Sequence, residues 1–343
     1  MAKLTDKAKA AASAVGKGAK AATEKTMETA KKVGSGVKVT ANKTKNEVAK
    51  ALDQDGDGSI DSTDIILISL KIPGVRVDRE KFLRKELKNH CKPSVIDKAI
   101  EENPTAAGID PVLIEKLVDD TIKFERNAAS GISAALGMPG GVAMVATIPA
   151  DIAQYYGYLL RAAQKMMYLY GFPELEISED GLNIDTATIN SLTICLGIMY
   201  GIANANIAIK AMAKALSTGV EKELLKKALT KGTIYPIVKS IAKWFGVRMT
   251  KKAFAGFFKK VIPVAGGIIG GGITFASFKP CCNKLRVALK DTKLSNPKYQ
   301  ENEEEEKLYE EIRSGVVIDV EPDELTDVSD NPPEISDEEE SES

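Results

Sequence analysis

Segments with the helical spacing of apolar residues follow one another through the middle of this 343-residue chain. In DPVLIEKLVDDTIKFERN, apolar residues stand at 113, 114, 117, 118 and 122, a spacing that places them on one face of an α-helix. The strand-like alternation of apolar and polar residues is nearly absent before SGVVIDV, close to the carboxyl end. The sequence therefore predicts an all-α fold, a multi-helix bundle.

Charge is strongly segregated along the chain, although the net charge is only −1. Residues 1–50 carry twelve lysines against four acids, and residues 301–343 carry nineteen Asp and Glu against Lys307 and Arg313. Low hydrophobicity combined with high charge is typical of disordered segments. The bundle is therefore expected to lie between a basic helical arm and a disordered acidic tail.

These shifts in composition divide the chain into five predicted segments. They are a Lys/Ala-rich amphipathic arm (1–50), an Asp-rich loop with its exit helix (51–75), a helical connector (76–126), a helical domain (127–290) and the acidic disordered tail (291–343).

Cysteine usage and the first residues indicate where the protein resides. The four cysteines, at 91, 195, 281 and 282, show neither a CxxC pair nor a zinc spacing. The opening segment MAKLTDKAKAAASAVGKG lacks the apolar run of a secretory signal. Reduced thiols and a cytoplasmic location, with peripheral membrane contact as an option, are expected.

The most specific motif is DQDGDGSIDSTD, residues 53–64. An EF-hand loop supplies oxygen ligands to Ca²⁺ from positions 1, 3, 5, 7, 9 and 12, with glycine at position 6 for the sharp turn. Counted from residue 53, position 6 is Gly58 and position 8 is the apolar Ile60. The predicted metal ligands are Asp53, Asp55, Asp57, Ser59 through its backbone carbonyl, Asp61 and Asp64.

Position 12 of this loop departs from the usual pattern. Asp64 replaces the glutamate whose longer side chain binds Ca²⁺ with both oxygens, so Mg²⁺ competes better at this site. The loop resembles that of dockerin modules, which carry two such loops, whereas this chain has one. The alternative is an Asp-rich turn that caps a helix and binds no ion.

Three uncharged stretches, at 127–150, 189–209 and 261–278, raise the question of membrane insertion. All three are rich in Ala, Gly and Ser, and the first is interrupted by Pro139-Gly140-Gly141. Small residues allow close helix packing both in membranes and in tight bundles. Buried helices of a bundle and membrane-inserted helices both remain open on hydropathy alone.

The middle of the chain is similar to the EcsC family of bacterial proteins over about residues 120–290. The resemblance is carried by TIPADIAQYY (147–156), QKMMYLYGF (164–172) and IPVAGGIIGGG (262–272). It implies an α-helical domain in the cell interior, with contact to a membrane as an option, and no established activity.

The common catalytic motifs are missing from the sequence. His90 is the single histidine, and neither a Walker loop nor a GxSxG elbow occurs. A polar stripe at helical spacing, formed by Asp151, Gln154, Tyr158, Arg161 and Lys165, is either a solvated helix face or a polar cleft. The sequence thus favours a non-enzymatic protein, with carboxylate chemistry at this stripe as the remaining enzymatic option.

Basic charge lies beside large aromatic residues in YPIVKSIAKWFGVRMTKKAFAGFFKKV, residues 235–261. This pattern is typical of helices on anionic lipid, and the alternative is a basic face whose aromatics pack into the bundle. Nucleic acid is not expected as a partner, because the arm lacks the arginines and aromatics for base contacts.

Two functions follow as hypotheses. The first is a calcium-binding helical protein, with Mg²⁺ as a possible substitute, that associates peripherally with the anionic surface of the cytoplasmic membrane. The second is a soluble scaffold for an unknown protein partner, in which the metal loop is only structural.

Overall fold

The computed structural model describes residues 53–54, 56, 61–136, 144–178, 184–202, 204–248 and 271–318, with backbone alone at 131–136, 144–152, 247–248 and 271–275. In these ranges the chain forms eleven α-helices, and its one β feature is an isolated bridge between Ile177 and Ile184. The all-α prediction is confirmed. The basic arm, most of the Asp-rich loop and residues 319–343 lie outside the described residues.

The helices are numbered here in chain order. They are α1 (Ser62–Leu70), α2 (Arg79–Leu87), α3 (Pro93–Glu101), α4 (Pro111–Leu136), α5 (Met144–Leu169), α6 (Thr186–Tyr200), α7 (Ala205–Ser217), α8 (Lys222–Lys231), α9 (Tyr235–Arg248), α10 (Gly271–Lys290) and α11 (Glu303–Ser314).

Helix α6 lies at the centre of the fold. The Asp185 carboxylate caps its first turn by accepting from the Thr188 amide at 2.8 Å, and the helix ends at Gly201, whose φ of 73° lies in the left-handed region. Every residue from Ala187 to Tyr200 is buried. Helices α1, α5, α7, α8, α9 and α10 all pack against α6, and this explains why its sequence is apolar on all sides.

Beside this centre, the long helices α4, α5 and α10 pack against one another. Helix α4 packs along both α5 and α10, and α2 and α3 pack on each other with α2 also on α5. One continuous hydrophobic cluster runs from Ile65 in α1 to Ile312 in α11. The predicted loop, connector and helical domain therefore share one core within the described residues.

The segment beyond residue 290 differs from its predicted disorder. Helix α11 lies inside that segment and buries Leu308, Tyr309 and Ile312. A capping box starts the helix, because Asn302 accepts from the Glu305 amide while the Glu305 carboxylate accepts from the Asn302 amide. The prediction of a disordered tail is wrong for 303–314, since composition alone hid an apolar stripe that the bundle covers.

The described part of the chain contains no helix with both the length and the apolar character needed to cross a bilayer. Of the three uncharged stretches, 189–209 is almost wholly described, and it forms most of α6 and the start of α7 in the core. The other two fall mainly outside the residues whose side chains are described.

Candidate functional site: the Asp-rich loop and the charged face of helix α5

The carboxyl end of the Asp-rich loop forms the start of helix α1. The Asp61 carboxylate accepts a hydrogen bond from the Thr63 amide at 2.6 Å, and the Asp64 carboxylate accepts one from the Asp61 amide at 2.9 Å. The two aspartates form a capping box, which satisfies backbone N–H groups that have no partner inside the helix. The capping role that the sequence left as an alternative is thus present in the structure.

Asp64 also holds the beginning of the loop. Its second oxygen accepts from the Gln54 amide at 2.5 Å, ten residues earlier, and the side chain is only 2 % exposed. Next to Gln54, the Asp53 carboxylate accepts from the Gly56 amide at 2.8 Å. The two ends of the loop are therefore brought together at the amino end of α1.

This arrangement bears on the predicted metal ligands in two ways. Asp53, Asp61 and Asp64 are placed by it, whereas Asp55, Asp57 and Ser59 lie outside the described residues. Among the described residues, no three His, Cys, Asp or Glu side chains gather closely enough to hold a metal ion. The six-ligand site stays a prediction.

Helix α1 attaches this loop firmly to the bundle. It buries Ile65, Ile66 and Leu70 against α5 and α6. The buried hydroxyls of Ser62 in α1 and Thr193 in α6 lie 3.5 Å apart. The last residues of the loop therefore belong to a helix that packs directly on the central helix.

The polar stripe on α5 faces helix α4 at Arg161 and Lys165. Arg161 and Lys165 both turn toward Glu125 on α4, whose Oε1 accepts from Lys165 Nζ at 2.6 Å and from Arg161 Nη2 at 3.1 Å. The Glu125 side chain is fully buried, and burial lowers the pKa of the Lys165 ammonium. Of the other stripe residues, Tyr158 lies under the Arg161 guanidinium at 5.6 Å from its ring centre. The side chain of Asp151 lies outside the described side chains.

Glu125 was not identified from the sequence, although a signal for it exists. The apolar face of α4 includes 114, 118 and 122, and residue 125 continues that spacing. A charged residue on the buried face of a helix indicates a partner on a neighbouring helix.

All four cysteines are reduced, and only Cys91 is even partly exposed. Burial raises the pKa of the Cys281 thiol to about 11 and that of Cys195 to about 12. Thiols in such surroundings are poor nucleophiles, because the thiolate is the reactive form. They act here as small apolar side chains of the core.

The basic aromatic segment is described only in part. Phe245 is fully buried and packs edge-on against Tyr156 and Tyr200, with ring centres 6.2 and 5.3 Å away, and Trp244 is half-buried beside it. These two aromatics therefore belong to the bundle. The three phenylalanines that follow, Phe254, Phe257 and Phe258, lie outside the described residues.

No protein-family model, curated protein or solved structure matches this chain. The similarity to the EcsC family accordingly stays a prediction that stands on the quoted segments alone.

Proposed function

We propose that this chain is a non-enzymatic cation-binding helical protein, in which Ca²⁺ at the Asp-rich loop orders the junction between the basic arm and the bundle. Mg²⁺ is the competing ion, because Asp64 is short for bidentate ligation. The observation that supports the proposal is the position of Asp64, which caps α1 and accepts from the Gln54 amide, so that the neighbour of Asp53 in the chain lies at the amino end of this helix.

Electrostatics supports a cation at this place. Five aspartates fall between residues 53 and 64 without a lysine or arginine among them. Like charges held so close destabilise one another, and a bound cation relieves the repulsion. Asp64 uses one lone pair of each oxygen for the backbone, and a carboxylate has further lone pairs for an ion.

Calorimetric titration with Ca²⁺ and with Mg²⁺ tests the loop. We expect one Ca²⁺ site in the wild type and a loss of affinity by more than about tenfold in Asp53→Ala, since even indirect supports of a metal site are worth ~10–100-fold. A free Ca²⁺ concentration of 100 times the Kd should also stabilise the fold by about 2.7 kcal/mol.

The matched control is Asp110→Ala, which removes an aspartate that also accepts from a nearby backbone amide, that of Val112 at 2.8 Å. This variant should bind Ca²⁺ as the wild type does. A wild-type protein that gives no binding heat and no change in melting temperature with either ion would contradict the proposal.

The second part of the proposal is peripheral association with an anionic membrane surface, favoured by the lysine-rich arm and the basic segment after α7. In flotation assays we expect the protein to rise with phosphatidylserine vesicles in Ca²⁺, less so with a chelator, and to be released by high salt because salt screens charge attraction. Neutral phosphatidylcholine vesicles are the control.

The alternative function is a scaffold with a structural metal loop, and the burial of Phe245 favours it, because part of the basic aromatic segment is core rather than lipid-facing. Absence from anionic vesicles with and without Ca²⁺, together with normal Ca²⁺ binding, would select this alternative.

A further inference from the structure

The Glu125 cluster has an unequal charge balance. Two cations, Arg161 and Lys165, share one carboxylate, and the three hydrogen bonds that they donate to it all end on the same oxygen, Oε1. The side chains of Glu125, Lys165 and Arg161 are 0, 13 and 23 % exposed. A buried excess of positive charge is costly unless a further anion compensates it.

Unused hydrogen-bonding groups accompany this excess charge. Within the described residues, Glu125 Oε2 is buried and has no hydrogen-bond partner. A guanidinium carries five N–H donors and an ammonium three, so most of those on Arg161 and Lys165 are not used by Glu125. The cluster therefore combines several strong donors with one buried acceptor.

The cluster lies between α4 and α5, and α2 packs beside it on α5. Lys165 Nζ lies over the rings of Phe82 and Phe124, 5.6 and 5.4 Å from their centres. Phe124 is 58 % exposed, which places solvent at that edge of the cluster. Lys85 on α2 is near enough to depress the pKa of Lys165 through its charge. On the inner side, burial raises the pKa of the Cys282 thiol, and the negative charge of Glu125 adds to this effect.

We propose that Arg161, Lys165 and Glu125 form a binding site for a singly protonated phosphate group. Arg161 and Lys165 donate to the phosphate oxygens, and guanidinium geometry suits such bidentate pairing. The phosphate hydroxyl donates to Glu125 Oε2, which a carboxylate or sulfate ligand without a proton is unable to do. The site lies apart from the Asp-rich loop and goes beyond the cation-binding function.

The chemistry of the acceptor gives the decisive test. We expect titration calorimetry at constant ionic strength to show inorganic phosphate binding at least about tenfold more tightly than sulfate, because sulfate leaves the buried Glu125 oxygen facing an acceptor. In Glu125→Gln, whose amide donates as well as accepts, this preference should disappear. Equal binding of phosphate and sulfate by the wild type, or no binding of either, would overturn the proposal.

Variants of the donors provide the second readout. Lys165→Met should weaken phosphate binding by about tenfold or more, whereas the matched control Lys98→Met, at an exposed lysine of α3, should not change it. Should Lys165→Met prove unfolded by circular dichroism, Arg161→Lys keeps the charge and removes the bidentate geometry, and it should still weaken binding. Unchanged phosphate affinity in a folded donor variant would contradict the site.

The phosphate group can belong to a soluble compound or to a lipid, and competition separates these sources. If the phosphate group belongs to a lipid, vesicles containing phosphatidic acid, a monoester, should displace bound phosphate. If it belongs to a soluble compound, a soluble phosphomonoester should displace bound phosphate instead. Asp53→Ala should leave phosphate binding intact, so failure of the cation proposal is distinguishable from failure of this one.

Discussion

Replacing Glu125 with alanine should destabilise the fold by about 3–5 kcal/mol, the cost of breaking a buried ion pair by removing one partner. The carboxylate is fully buried and serves Arg161 and Lys165 together. Its loss leaves two mostly buried cations on α5 without a counter-charge, at the contact between α4 and α5. Urea unfolding followed by circular dichroism measures the effect.

Two further variants show whether charge is the cause. Asp97→Ala removes an exposed carboxylate that pairs with Arg84 at 2.7 Å, and it should cost less than about 1 kcal/mol because exposed pairs contribute little. Adding Lys165→Met to Glu125→Ala should recover part of the loss, since one unpaired cation then disappears. If the double variant instead loses as much stability as the two single variants together, charge imbalance is not the cause.

Replacing Arg79 with alanine should destabilise the fold by a comparable ~3–5 kcal/mol. Arg79 is 6 % exposed at the start of α2, and its guanidinium donates to three backbone carbonyls. These are the carbonyls of Phe172 at 3.1 Å, Ile100 at 2.7 Å and Ala99 at 3.2 Å. Ala99 and Ile100 lie in the last turn of α3, where carbonyls have no partner inside the helix.

The geometry of Arg79 also predicts a poor rescue by lysine. An ammonium is a compact group without the planar fork that spans three carbonyls, so Arg79→Lys should recover less than half of the lost stability. Arg84→Ala on the same helix is the control, because its partners Glu80 and Asp97 are exposed, and it should leave the free energy of unfolding nearly unchanged. Chemical denaturation of the three variants in parallel distinguishes these outcomes.

Helical periodicity was sufficient to predict the fold class, because it depends on neighbours three and four residues apart. The same local reasoning located the Asp-rich loop immediately before an apolar helix, and Asp61 and Asp64 do cap α1 there. It failed for α11, where the high acidic content concealed Leu308 and Ile312. Their burial depends on α7 and α8, which lie far away in the sequence.

Helix α11 is held in place by contacts with α7, which lies far away in the sequence. Lys210 of α7 lies 3.1 Å from the Glu305 carboxylate and also donates to the Tyr299 hydroxyl at 2.8 Å. Lys214, one turn later, pairs with Glu306. Two lysines of α7 thus pair with the start of the acidic tail, and the segment expected to be disordered forms a packed helix.

The sequence by itself determined the all-α class and the composition of the predicted cation loop, because these depend on residue types and spacings within a short stretch of the chain. Only the tertiary structure decided that Glu125 meets Arg161 and Lys165, 36 and 40 residues later, and that α11 packs on α7. Such pairings depend on which helix faces pack against each other. The sequence pattern of a helix shows which of its faces are apolar or polar, but not which other helix each face meets.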